Sequence, residues 1–513
     1  MSADFLEHRA AGILLHPTSL PGGAIGTLGP EAYRFVDWLA EAGQSFWQIL
    51  PLVAVDDGGS PYNGLSVLAG NPLLVDLRDL EELGLLGPGE AAEDQEGGAG
   101  EGIDFAAVGA RVNRLRGRAS EALESGTAPE LRREFTSYRE ENAGWLDDFA
   151  LFRALRRANG NSAWTSWPRG LRQRRPAALD AARAECAEEI GRIGFQQFLF
   201  DRQWSRLRRY ANSRGIRIIG DIPIFGAHDS ADVWANQELF ILDEEGEPEV
   251  VSGVPPDYFS ETGQRWGNPL YRWDAMRRNG FRWWTERFRR TLQWVDIVRV
   301  DHFRGFQAYW KIPASAETAV HGEWCPGPGA ELFREVASQL GPLPLIAEDL
   351  GLITAEVEAL RDELGYPGMR VIQFAFDGNP RNPHLPENYV ERTVAYTGTH
   401  DNDTILGWWR DASENERREA ERRLTVDEEV EWGFMRMVAA SRANLAIAPM
   451  QDVLGLGGEA RMNTPGVSAG NWTWRLESGE VTPAHAARLR HLAATTGRDS
   501  GSTDSTLNGK ERV

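Results

Sequence analysis

A series of short, apolar, β-rich runs recurs along this chain, most of them stopping abruptly at a polar or charged residue, and that repetition restricts the fold more than any other feature. The runs are Gly12-Ile-Leu-Leu-His16, Phe46-Trp-Gln-Ile-Leu50, Ile216-Arg-Ile-Ile-Gly-Asp221, Val295-Asp-Ile-Val-Arg-Val-Asp301, Pro344-Leu-Ile-Ala-Glu348, Val371-Ile-Gln-Phe-Ala-Phe-Asp377 and Thr393-Val-Ala-Tyr-Thr-Gly-Thr-His400. A weaker run, Pro72-Leu-Leu-Val-Asp76, would supply an eighth. Strands buried on both faces read as continuous apolar stretches, and their alternation with long helical segments implies a parallel sheet. An acid or a histidine at the carboxyl end of strand after strand is the pattern of an α/β (β/α)8 TIM barrel, whose site is built at that face. A doubly wound open sheet is the alternative. Its dinucleotide-binding form is disfavoured, because no GxGxxG turn follows the first strand.

At 513 residues the chain could hold about three ordinary domains, or one barrel enlarged by insertions. The spread of the runs favours the second, a single catalytic barrel over residues 1–476. Between about 78 and 205 the sequence is rich in Ala, Leu, Arg and Glu with apolar residues three or four apart, as in Trp145, Phe149, Phe152 and Leu155, which predicts a mostly helical insertion. Residues 239–275 carry many Pro, Gly and aromatic residues with little helical period, and are expected to form a long lid loop over the barrel mouth. A C-terminal helix is expected at 477–495, followed by a disordered, Gly/Ser/Thr/Asp-rich tail at 496–513.

Composition narrows the partners. The formal net charge is −21, and only Lys311 and Lys510 are lysines, so nearly all positive charge is Arg. Nucleic acids and anionic membrane surfaces are poor partners for such a chain. The two cysteines, Cys186 and Cys325, form no CxxC pair, which fits a reducing cytoplasm. The N-terminus lacks the apolar core of a signal peptide, and no stretch is long and apolar enough to cross a membrane. Nineteen tryptophans are unusually many. Most are expected in the core, but a groove that stacks sugar rings would also use them, since a pyranose offers apolar C–H faces to aromatic rings.

Three predicted strand ends concentrate carboxylates: Arg299-Val-Asp301-His302, Ala347-Glu348-Asp349 and Thr399-His400-Asp401-Asn402-Asp403. In a barrel these ends converge on one cavity. Two carboxyl groups about 5–5.5 Å apart can run a retaining glycosyl transfer, one as nucleophile and the other as acid and then base. Arg299, on the same strand face as Asp301, is placed to keep it ionised. Any one of these acids could instead cap a helix or anchor a loop.

Taken together, the motifs resemble the 4-α-glucanotransferases, the amylomaltase or disproportionating-enzyme group of the α-amylase superfamily, from about Arg9 to Leu476. The resemblance rests on Gly12-Ile-Leu-Leu-His-Pro-Thr-Ser-Leu-Pro21, Trp47-Gln-Ile-Leu-Pro-Leu52, Ser60-Pro-Tyr62, Gly220-Asp-Ile-Pro-Ile224, Asp229-Ser-Ala-Asp-Val-Trp-Ala235, Gly253-Val-Pro-Pro-Asp-Tyr-Phe-Ser260, Gly263-Gln-Arg-Trp-Gly-Asn-Pro-Leu-Tyr271, Arg299-Val-Asp-His-Phe-Arg-Gly305, Ala347-Glu-Asp-Leu-Gly351, Gly398-Thr-His-Asp-Asn402 and Met462-Asn-Thr-Pro-Gly466 with Asn471-Trp472. It implies Asp301 as nucleophile, Glu348 as general acid/base and Asp401 as transition-state stabiliser. It implies that Arg299 and His400 contact the sugar being cleaved, supported by Asp221 and Tyr62. Asp257, Tyr258, Phe259, Gln264 and Trp266 would belong to the lid on the acceptor side, and Asp377, Asn463 and Pro465 would line the groove. The implied activity is transfer of α-1,4-glucan segments, by a retaining double displacement, to the 4-hydroxyl of another glucan or of glucose. Malto-oligosaccharides, amylose, starch and glycogen-derived glucans would be substrates, with no metal or cofactor. The stretch Val53-Ala-Val-Asp-Asp-Gly-Gly59 and Gly226 depart from the family pattern, which bears on subsites and not on the carboxylates.

The carboxylates alone suit an α-glucan hydrolase equally well. A metal-dependent barrel hydrolase using His16, Asp221, His228, His302 and His400 is a further reading, weakened by the absence of an HxH pair on the first strand. A non-catalytic glucan-binding protein is the third alternative.

Overall fold

A computed structural model of the chain describes residues 5–91, 102–256, 260–467 and 469–499. Its twelve strands are β1 Ala10–Leu14, β2 Phe46–Gln48, β3 Arg217–Pro223, β4 Val250–Val254, β5 Gln264–Pro269, β6 Ile297–Asp301, β7 Ala308–Pro313, β8 Glu323–Pro326, β9 Leu345–Ala347, β10 Gly368–Val371, β11 Thr393–Tyr396 and β12 Leu445–Pro449. Eight of them form one parallel sheet in the order β10-β11-β12-β1-β2-β3-β6-β9. The sheet closes on itself where the Ala347 N–H of β9 donates to the Pro367 carbonyl just before β10, at 2.9 Å. This is the (β/α)8 barrel expected from the strand pattern.

Alternation along each strand sorts its side chains into two layers. Leu14, Phe46, Ile219, Ile297, Ile346, Met369, Val394 and Leu445 pack together inside the barrel. Ile13, Trp47, Ile218, Val298 and Leu345 face outward into the larger cluster beneath the helices. The same parity turns Asp221 on β3 and Arg299 and Asp301 on β6 inward, at the carboxyl ends of their strands. Below them a buried polar pair, Tyr396 donating to Gln48 at 2.9 Å, crosses the barrel.

Between β2 and β3 the chain makes the helices Phe105–Glu124, Pro129–Ala158 and Ala187–Ser213, which bury Trp145, Phe149, Phe152 and Leu155. Helix Pro483–Thr495 packs near helix Pro30–Glu41, where the Trp38 indole N–H donates to the Thr482 carbonyl at 3.0 Å. Beyond it Arg498 is buried and donates to the carbonyls of Ala10, Ala439 and Ala443. The rest of the expected tail, from residue 500, lies outside the described residues.

Three expectations about elements change. Pro72–Leu74 is a turn of 3-10 helix capped by the Asn71 side chain, not a strand, and the eighth barrel strand is β12. The strand anticipated at 371–377 ends at Val371 and passes into a 3-10 turn at Ile372–Phe374. The stretch 239–275 is not irregular throughout. Its β4 and β5 join β7 and β8 in a separate antiparallel sheet, in the order β5-β4-β7-β8.

Candidate active site

The carboxyl ends of β3, β6, β9 and β11 bring six of the expected residues into one connected cluster. Arg299 is buried and reaches two carboxylates with one nitrogen: Nη1 lies 2.6 Å from Asp221 Oδ2 and 2.9 Å from Asp301 Oδ1. The Tyr62 hydroxyl donates to the same Asp221 oxygen at 2.8 Å. The Tyr62 ring stacks on His400, with centroids 4.8 Å apart and planes 14° from parallel. His400 Nε2 in turn lies 3.3 Å from Asp401 Oδ1. One buried guanidinium between two acids is a costly arrangement to break, because removing it strands charge in a poorly solvated site. Burial alone would lower the Arg299 pKa, but Asp221 and Asp301 raise it well above the ordinary value, so the residue stays charged.

Glu348 follows β9 and is held by backbone donors. The His302 N–H donates to Oε2 and the Leu350 N–H to Oε1, each at 2.7 Å. His302 adopts a left-handed conformation, φ 52° and ψ 48°, immediately after β6. For a non-glycine residue that conformation costs roughly 1 kcal/mol or more, a strain typical of functional sites. Here it turns the amide toward Glu348 just past Asp301.

Burial and the charge of Asp301 push the Glu348 carboxyl up to about 8, outweighing Arg299 and the two amides. Asp301 is also raised by burial, to about 6, but Arg299 opposes the rise. Its side chain keeps 28% exposure in the groove, which further limits the burial effect. The pair therefore holds its proton on Glu348, giving an acid and an anion side by side near neutrality.

Asp401 sits at the rim with 42% of its side chain exposed. Asn463 Nδ2 donates to its Oδ1 at 2.6 Å, and Arg461 donates to its main-chain carbonyl at 2.5 Å. Trp266, on β5, meets the His302 ring edge-on at 4.7 Å, and its indole N–H donates to Gln264 Oε1 at 3.1 Å. Two expected groove residues stand apart from these contacts. Asp377 is exposed and accepts the Asn379 N–H in a turn, and Pro465 lies in an exposed turn. Asp257, Tyr258 and Phe259 lie outside the described residues.

Neighbouring acids differ in kind. Asp349 is buried away from the groove, where it accepts the Met369 N–H at 2.6 Å and pairs with Arg361 and Arg370. Trp472, part of the Asn471-Trp472 motif but given no site role from the sequence, has φ 67° and lies 5.7 Å from the Tyr62 ring and 5.9 Å from the His400 ring. Sequence reasoning missed Arg461, which directly precedes the Met462–Gly466 motif. Among the described residues no group of three or more His, Cys, Asp or Glu is placed to hold a metal ion, and no helix is long and apolar enough to cross a membrane.

An acid and an anion at the mouth of a (β/α)8 barrel are the pair used by enzymes that break or transfer glycosidic bonds. The family model for 4-alpha-glucanotransferase matches residues 15–482. The 4-alpha-glucanotransferase of Thermus thermophilus is 51% identical over 96% of this chain and 99% of its own length. The chloroplastic/amyloplastic 4-alpha-glucanotransferase of Solanum tuberosum is 44% identical, over 96% and 87%. Among solved structures, the amylomaltase from Streptococcus agalactiae in complex with acarbose superposes with a TM-score of 0.92 at 38% identity, covering 96% of this chain and all of that one. The chain belongs to the 4-alpha-glucanotransferase family, and the fold and enzyme class expected from the resemblance both hold.

Proposed function

We propose that the chain disproportionates α-1,4-glucans by double displacement, with Asp301 as nucleophile, Glu348 as acid and then base, and Asp401 as stabiliser of the charged transition state. Glu348 protonates the leaving glycosidic oxygen while Asp301 attacks the anomeric carbon. The reducing-end fragment departs and a β-glucosyl ester remains on Asp301. Glu348, now ionised, takes the proton of an acceptor 4-hydroxyl, whose oxygen attacks the anomeric carbon as its bond to Asp301 breaks, restoring both the α-1,4 bond and the free Asp301 carboxylate. The number of glycosidic bonds is unchanged.

The observation that carries this reading is the asymmetry of the pair: Arg299 on Asp301, and burial with two amide donors on Glu348. Tyr62, Asp221, Arg299 and His400 would hold the donor sugar. Gln264, Trp266 and the 257–259 stretch would cover the acceptor, with Asp377, Asn463 and Pro465 along the groove. Transfer prevails over hydrolysis when an acceptor excludes water from the ester. The substrates would be malto-oligosaccharides, amylose and starch- or glycogen-derived glucans, with glucose as the smallest acceptor. A cytoplasmic setting is supported by the free Cys186 and Cys325.

Incubation with maltotriose tests the reading. The expected products are a ladder of longer and shorter oligosaccharides with almost no gain in reducing ends. Reducing ends that increase with every cleavage would instead identify a hydrolase.

A further inference from the structure

Of the nineteen tryptophans, only Trp266 and Trp324 are more than a third exposed, at 38% and 40%. Both are seated on the short segment that follows Asp301. Trp266 meets the ring of His302, and the guanidinium of Arg304, two residues on, lies 3.9 Å from the ring centre of Trp324. Arg304 is itself buried and donates to the carbonyl of Leu352, four residues past Glu348 and 48% exposed. Trp324 is thereby tied to the loops that carry both reacting carboxyl groups.

The antiparallel sheet holds this ring in place from the other side. Register pairs Gly253 of β4 with Trp310 of β7, and Trp310 with Trp324 of β8, so the three lie in one row on one face. Trp310 meets Trp324 at 63° with centroids 5.2 Å apart, and its indole N–H is fixed to the Ala319 carbonyl at 2.9 Å. A large aromatic surface held in one orientation and left open to water is what an incoming pyranose face can use with little ordering cost. Partial or full burial of tryptophan is the rule elsewhere in the chain, so the two exceptions, seated on His302 and Arg304, call for an occupant.

We propose that Trp324 is a stacking platform for acceptor glucose units beyond the first, continuing outward from Trp266, and that it sets the preference of transfer for long acceptors. The inference rests on the transferase reading above. It extends that reading to a residue outside the strand ends and the lid, on the leaving-group and acceptor side of Glu348. The occupant is a neutral α-1,4-glucan chain, whose apolar C–H face matches the ring and which needs no charge partner beyond Arg304.

The test uses α-maltotriosyl fluoride as donor, because fluoride departure leaves the acceptor side free. Acceptors are glucose, maltose and maltotetraose, and the readout is acceptor kcat/KM. Trp324→Ala is expected to leave transfer to glucose unchanged and to lower transfer to maltotetraose about tenfold, the worth of one aromatic stacking contact. Trp324→Phe keeps a ring and is expected to recover most of that loss, which separates stacking from damage to β8. An equal fall with all three acceptors, or no fall with maltotetraose, overturns the proposal. Fluoride release by the unmodified enzyme without elongated product from any acceptor would instead overturn the transferase reading itself.

Discussion

In the proposed reading, the two sides of the scissile position are built from opposite materials. The donor side is buried and ionic, with Tyr62, Asp221, Arg299 and His400 fixing one another through hydrogen bonds and a ring stack within the barrel mouth. The side proposed for the acceptor is exposed and aromatic, carried on a separate antiparallel sheet through Trp266 and Trp324. The difference matches the two demands of transfer. Bond breaking needs charges whose positions do not relax, whereas acceptor binding must hold a glucan long enough to exclude water and then release it.

The largest effect should come from the reacting centre. Asp301→Asn removes the nucleophile and is expected to lower kcat by on the order of 10⁴-fold with glucan binding retained, measured by turnover alongside affinity electrophoresis in amylose. If turnover survives, the chemical half of the contrast fails.

The ionic character of the donor side is checked next. Arg299→Leu leaves Asp221 and Asp301 facing each other without their shared cation, and should cost about 3–5 kcal/mol of stability, read as a shift in the denaturant midpoint. A change near zero would mean that Tyr62 and solvent already carry those acids.

The pH profile sharpens the same point. kcat/KM should rise as pH passes about 6, where Asp301 ionises, and fall as it passes about 8, where Glu348 loses the proton it donates. An alkaline limb in the ordinary carboxylic range would remove burial and Asp301 as the cause of Glu348's proton retention.

The smallest effect belongs to the aromatic side. Trp266→Ala should slow the first half-reaction modestly, because the leaving fragment uses the same side, and shift partitioning from transfer toward hydrolysis about three- to tenfold, through loss of about 1 kcal/mol of acceptor contact. Reducing-end release set against total cleavage measures it directly.

The donor side was far more legible in the sequence than the acceptor side. Strands buried on both faces leave continuous apolar runs, and inward parity at their ends delivers Asp221, Arg299 and Asp301 without knowledge of the packing. β12 escaped because Leu445-Ala-Ile-Ala-Pro449 alternates alanine with larger apolar residues and ends on no acid, while Pro72–Asp76 offered an acid but also a proline and a capping Asn71. The antiparallel sheet was illegible. Its strands are four to six residues long, and the pairing of β4 with β7 joins segments separated by all of β5 and β6. The left-handed turns at His302 and Trp472 carried no signal either, since neither residue type announces that conformation.

The closure of the barrel bears on the acid as well as on the fold. Ala347, whose amide closes the sheet against Pro367, is the residue before Glu348, and Asp349 on the other side clasps the Met369 amide across the same seam. The proposed proton donor thus hangs from the joint at which the sheet begins and ends. Transient breathing of that joint, visible in amide exchange of Ala347 and Met369, would move the acid off its target long before the barrel came apart.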